Sequence, residues 1–202
     1  MKKTVLVLLV LIPILFVLVT IGLFSLLFPK IFWSGSFIVQ GWACHYWAQT
    51  LDTAGLSDAA WAVQENAVSA YEKSNDHLPS VPVRELVIDE LWALTNMHLR
   101  KQDLDAALKD SSRAERLERE ELKHDGYDAE KFRKGLAACL INSGRIFAAK
   151  GRLAESEACY KESTELFKKL ISQKKGSDET QELSRLAKQE LDEVEKKIRE
   201  AR

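Results

Sequence analysis

From Thr4 to Phe28 the chain runs for 25 residues without a charged side chain, built chiefly of Leu, Val, Ile and Phe. As a helix this run measures about 37 Å, more than the roughly 30 Å of a bilayer's hydrocarbon core. Pro13 and Gly22 inside it are tolerated in membrane helices, and Pro29 and Lys30 close it. A cleavable signal peptide is the rival reading, because Lys2 and Lys3 precede the run and Ser34-Gly35-Ser36 offers small residues for cleavage. Signal-peptide cores span about 7–15 residues, so a retained single-pass anchor is the preferred expectation. Lys2, Lys3 and the amino terminus outweigh Lys30 across the run. The expected orientation therefore leaves the N-terminus cytoplasmic and places the C-terminal domain outside the cytoplasm, in the periplasm if the cell is Gram-negative.

The rest of the chain is written for water. Residues 1–47 contain no Asp or Glu, so all 30 acidic residues lie in 48–202, together with 26 of the 29 basic ones. That portion of roughly 155 residues is long enough for one domain with its own core. A mildly acidic, well-mixed surface argues against nucleic-acid binding, which needs a basic face.

After Gln49 the sequence reads as helix throughout, rich in Ala, Leu, Glu, Lys and Arg at 3.6-residue periodicity. Breaks fall at Thr53-Ala54-Gly55, Ser74 to Pro82, Gln102-Asp103, Asp125-Gly126, Lys150-Gly151 and Lys175-Gly176. Six helices in antiparallel pairs plus a C-terminal helix fit this punctuation. Leu56, Leu104 and Leu153 each follow a break and stand 48 and 49 residues apart. Small residues recur in register: Ala60 and Ala67, Ala107 and Ala114, Ser156 and Ser163. Ala48, Thr95 and Gly144 match them in the preceding helices. Antiparallel helices approach closely only where side chains are small, so these positions predict hairpin seams.

The segments Leu91-Trp92-Ala93-Leu94-Thr95 through Ala114, and Leu140 through Gly144 to Ser163, resemble the tetratricopeptide repeat family, with Cys44 to Ala67 a weaker third unit. The resemblance covers roughly residues 40–173. The units recur at 47–49 residues where the family's usual period is 34, so a short, slightly splayed solenoid is expected in place of a regular superhelix. The expected fold is thus all-α: one N-terminal transmembrane helix followed by a TPR-like helical-hairpin solenoid with a C-terminal capping helix. The expected divisions are a signal-anchor over 1–30, an interfacial aromatic segment and first repeat helix over 31–55, helical repeats over 56–176, and the capping helix over 177–202. Ser177 suits the N-cap of that last helix, and Leu183, Leu186, Leu191, Val194 and Ile198 form its apolar stripe, for packing within the chain or for a coiled coil.

Signatures of catalysis are missing. Cys44, Cys139 and Cys159 form no Cys-x-x-Cys pair, and His45, His77, His98 and His124 lie outside metal-ligand spacing. His124-Asp125 beside Asp128 reads as a solvated loop. Carboxylates such as those from Glu115 to Lys123 alternate with bases and read as solvated surface. No catalytic residue, cofactor or metal is expected. Trp33, Trp42 and Trp47 read as membrane-interface residues or as a contact with another membrane protein, and Trp42 and Trp47 read equally as core of the first hairpin.

The family resemblance implies protein binding on the face lined by the first helix of each pair. Carried over residue by residue, it places Asp89, Trp92, Asn96, Leu99 and Arg100, then Asn142 and Arg145, on that face. Trp92 also reads as core packing between units. The expected function is a membrane-anchored interaction scaffold, assembly factor or accessory subunit of a membrane protein complex, touching lipid through residues 4–28. The alternative is a ligand- or lipid-binding sensor domain displayed outside the cytoplasm.

Overall fold

The computed structural model describes residues 29–123, 129–173 and 177–201, and these form seven helices. They are α1 (Pro29–Thr53), α2 (Ser57–His77), α3 (Val81–Arg100), α4 (Leu104–Glu121), α5 (Ala129–Ala149), α6 (Leu153–Ser172) and α7 (Asp178–Glu200). Each packs on its neighbours in the chain, so α1/α2, α3/α4 and α5/α6 are three hairpins in file, and α7 closes the end against α6 and α5. The architecture is all-α and helical-repeat-like.

One expectation is corrected. Among the described residues no helix is long and apolar enough to cross a membrane. The span expected over residues 4–28 lies outside the described residues. The described aromatic segment that follows is not a spanning element. Ser34, Ser36, Gln40, His45 and Gln49 interrupt its apolar residues, and α1 instead lays Ser34, Gly41 and Ala48 against α2.

The repeat is visible in backbone geometry. Gly55, Gln102 and Gly151 carry φ of 77°, 59° and 73°, and they are the positive-φ residues of the described chain. They stand 47 and 49 residues apart, and each ends the first helix of a hairpin. At each, two amides satisfy the last carbonyls in the same way. Leu56 N–H donates to Leu51 O at 2.9 Å, Asp103 to His98 at 3.0 Å, and Arg152 to Phe147 at 2.9 Å. The positive-φ residues donate to Asp52, Leu99 and Ala148, completing a Schellman turn three times over. This register differs by one residue from the leucine spacing in the first unit. Leu56 is equivalent to Asp103 and Arg152, an exposed N-cap, and Ser57 stands where Leu104 and Leu153 stand.

The small residues do seal the hairpins. Ala60, Ala107 and Ser156, and one turn pair further on Ala67, Ala114 and Ser163, have no exposed surface. Ala48, Thr95 and Gly144 face them, also buried. Ser156 Oγ donates to Gly144 O at 2.8 Å, and Ser163 Oγ to Ala137 O at 2.7 Å, so the serines satisfy their hydroxyls on the opposing backbone. Two glycines admit rings. A Cβ at Gly41 would lie 2.6 Å from the Tyr71 ring, and one at Gly144 2.8 Å from the Tyr160 ring.

Contacts between units repeat as well. Lys101 pairs with Asp58 at 2.6 Å, and 47–49 residues on Lys150 pairs with Asp105. His45 Nδ1 meets Glu90 Oε1 at 2.8 Å, and at the equivalent positions Trp92 Nε1 donates to Cys139 Sγ at 2.9 Å. Glu72 on α2 pairs with Arg113 on α4, while Arg119 on α4 pairs with Glu162 on α6 at 2.7 and 2.8 Å. The repeat spacing carries 72 to 119 and 113 to 162, so this is one contact with its charges exchanged. Placing the third hairpin directly on the first would set Glu72 against Glu162. The exchange therefore fixes the order of the units by repulsion as well as attraction.

At the C-terminal end, Ser177 Oγ caps α7 by accepting from Thr180 N–H at 3.3 Å, and Asp178 and Glu179 suit the positive helix end. Ala187 and Val194 of α7 join Ala137, Ile141, Tyr160, Phe167 and Leu170 in one core, with Leu183, Leu191 and Ile198 alongside. A second core joins the first two hairpins around Tyr71, Leu91 and Leu94 and reaches Cys139 on α5 of the third.

A candidate interaction cleft between the second and third hairpins

Glu118 breaks the repeat pattern. Its equivalents are Tyr71 in the first hairpin and Phe167 in the third, both large, apolar and essentially unexposed. The second hairpin puts a carboxylate at this core position, and at 4% exposure Glu118 is buried like the rings. Gly135 on α5 lies opposite, where a Cβ would overlap the Glu118 carboxylate. Without a Cβ at 135, the carboxyl group lies directly against the α5 backbone, and a larger residue there would displace it.

The glutamate sits under a cleft of about 340 Å³ between α3, α5 and α7. Ile88, Trp92, Phe132, Ala138 and Leu183 give it apolar walls; Glu85, Asp89, Lys131, Lys134 and Glu179 stand around it. Lys131 pairs with Glu85 at 2.7 Å and Lys134 with Glu179 across to α7. Glu121, one turn after Glu118 and also buried, is answered by Arg84. Glu118 Oε2 is buried without any hydrogen-bond partner. Burial, reinforced by Asp89, Glu85 and Glu121 and opposed by Lys131, pushes its carboxyl up to about 8. At neutral pH it is therefore mostly protonated, an acid held in reserve beneath an apolar cleft.

Of the residues expected on the binding face, Asp89 and Trp92 line this cleft. Asn96, Leu99 and Arg100 line a second, more polar depression of about 410 Å³, together with His45, Gln49, Asp52 and Gln64. Buried Glu90 lies beside it, held by His45 and by Gln64. Desolvation raises the Glu90 carboxyl and the His45 and Gln64 bonds oppose that rise. Arg145 is occupied: its guanidinium bonds Glu190 of α7 at 2.9 and 2.8 Å, and Tyr160 Oη donates to the same carboxylate at 3.0 Å. The expected single face is therefore two depressions, with α7 lying over the third hairpin's share. Asn142 is half-buried and lines neither.

Trp33, Trp42 and Trp47 lie on α1 with 49%, 58% and 63% of their surface exposed, outside the hairpin core. Nine residues apart, Trp33 and Trp42 project from opposite sides of the helix. Trp61 is half-buried, donating to His98 Nε2 at 3.2 Å. The three cysteines are free thiols; burial raises the thiols of Cys139 and Cys159, the latter to about 11.

Glu118 falls in the segment Glu115 to Lys123, whose alternating charges read as solvated surface, and the structure buries it instead. A signal exists in the sequence: 107, 111, 114, 118 and 121 form one helical stripe that includes the seam alanines Ala107 and Ala114. Compared with known proteins, the sequence matches no family model and no curated relative.

Proposed function

We propose that this chain is a helical-repeat interaction scaffold, resembling tetratricopeptide-repeat proteins, that holds a partner protein in the cleft between α3, α5 and α7. In this reading it serves as an assembly factor or accessory subunit of a larger complex. The observation that carries the reading is Glu118: a buried carboxyl group whose Oε2 has no partner, at a position where the neighbouring units keep an aromatic ring. A buried polar group left unsatisfied costs roughly 1–3 kcal/mol, so its retention points to a partner group that satisfies it. Trp92 beside it supplies the kind of rigid aromatic surface that anchors interfaces. From Ile31 to Leu51, α1 bears no Asp, Glu, Lys or Arg and exposes Ile31, Val39, Trp42 and Tyr46, which supports a complex formed at a membrane.

A small-ligand sensor is the second reading, favoured by the cleft's volume, which lies at the lower end of the range typical of small-molecule pockets. Both readings meet one test. The tagged full-length chain is extracted in mild detergent from its source and sized under native conditions, beside the Trp92→Ala variant. A stoichiometric complex that Trp92→Ala dissociates supports the scaffold. A free monomer in both samples contradicts it and leaves the sensor reading.

A further inference from the structure

We infer that the cleft between α3, α5 and α7 receives the alkylammonium end of a lysine side chain from the partner polypeptide, with its methylenes along Ile88, Trp92 and Phe132 and its charge on Glu118 Oε2. This rests on the scaffold reading for the source of the lysine, but the chemistry of the site stands on the geometry.

Three features select a cation carried on an apolar stem. The walls are aliphatic and aromatic, which suits methylenes. The buried end offers a carboxylate oxygen without a partner, 4% exposed as part of its residue. The groups around that oxygen are predominantly acidic: Glu85 and Asp89 on α3, Glu121 on α4 and Glu179 on α7, against Lys131 and Lys134 on α5 and Arg84 on α3. Those three bases are engaged with Glu85, Glu179 and Glu121 respectively. Oε2 is the Glu118 oxygen that is buried without a partner, and a compact ammonium can seat its charge on that one atom, whereas a guanidinium's fork calls for two.

Binding carries a proton balance. The neutral Glu118 carboxylic acid and an incoming R–NH3+ become a carboxylate–ammonium pair, and the carboxyl proton leaves to solvent. An alkylammonium titrates near 10.4, so it stays charged while Glu118 ionises. Affinity then rises between pH 7 and about 8.5 and one proton is released per site at neutral pH.

The test uses the full-length chain labelled with 5-fluorotryptophan, the Trp92 resonance being identified by its loss in Trp92→Phe. The probe is N-acetyl-lysine N-methylamide, compared with its norleucine and arginine counterparts and with n-butylammonium. The expected result is a saturable shift at Trp92 that is about tenfold or more weaker with norleucine, and about tenfold or more weaker in Glu118→Gln. Glu118→Gln keeps the side chain's shape and removes the charge, and its thermal transition checks folding. Asp89→Asn, at the exposed mouth, lowers affinity by a smaller factor and gives a second reading independent of the buried site. No saturable shift, an equal shift from norleucine, or unchanged affinity in Glu118→Gln overturns the inference. Equal binding of the arginine probe overturns the choice of ammonium, and n-butylammonium, which carries the same stem and charge, is expected to bind comparably to the lysine probe, so its failure to bind overturns recognition of the alkylammonium end. The scaffold reading fails separately, on the absence of a complex.

Discussion

The two ends of the array are finished in opposite ways. At the C-terminal end, α7 turns Ala187 and Val194 inward onto Tyr160 and Phe167 while exposing Lys188, Asp192, Glu193 and Lys196. At the other end, α1 buries its small residues on α2 and exposes Ile31, Val39, Trp42 and Tyr46. A file of hairpins must stop somewhere, and a helix with a polar outer face is how such files stop in water. One end is built as a terminus and the other is not.

The strongest way to break this comparison is to remove α7. Truncation before Ser177 uncovers Tyr160, Phe167 and Leu170, each having contributed about 1.5–3 kcal/mol by burial. The expected outcome is loss of cooperative folding in α5 and α6, followed by circular dichroism and by hydrogen exchange. Retained protection in both helices would show that α7 is dispensable. A smaller but still large effect comes from the rings seated on glycine. Tyr71→Ala and Tyr160→Ala should each cost about 3–5 kcal/mol in denaturant unfolding, alike at both ends despite their different surfaces.

Between the ends, the second hairpin differs by its acid. The folded Glu118 carboxyl lies near 8, against about 4.5 when unfolded. The folded state therefore binds more protons than the unfolded state between these values, and stability falls as pH rises from about 5 to 8. The loss is on the order of a few kcal/mol, and Glu118→Gln should flatten it, as read by urea midpoints across that range. A profile equally steep in the variant would assign the dependence to other groups such as Glu90. At the small end, Gln102 holds the turn conformation that glycine holds at 55 and 151. Gln102→Gly should raise stability by about 0.5–1 kcal/mol, while Gly151→Ala lowers it by a similar amount. Trp42→Ser on the exposed face of α1 should change stability by less than about 0.5 kcal/mol, and a larger loss would show that face to be covered within the chain.

Much of this architecture can be read directly from residue types. The breaks at Gly55, Gln102-Asp103 and Gly151 mark the turns because positive φ and N-caps have narrow chemistry, and the small residues mark the seams because close helix packing excludes anything larger. The one-residue slip at Leu56 arose because a leucine after a turn resembles the start of a helix whether it is the cap or the first residue. Backbone hydrogen bonds decide that, and a single sequence does not display them. Arg145 was placed on an open face because nothing local announces that Glu190, 45 residues away, will reach it. Glu118 was read as surface because charge usually means water. Its burial is dictated by the aligned Tyr71 and Phe167, a long-range relation that becomes legible once the register is correct.

In the proposed function the cleft around Glu118, and not the bare face of α1, meets the partner. The most direct measurement places a photo-crosslinking residue at Asp89, beside the cleft, and separately at Val39 on α1, in the full-length chain in its own cells. The expected result is a discrete adduct of defined mass from position 89 that disappears in Glu118→Gln. Adducts from position 39 alone, or an adduct at 89 indifferent to Glu118, would contradict it.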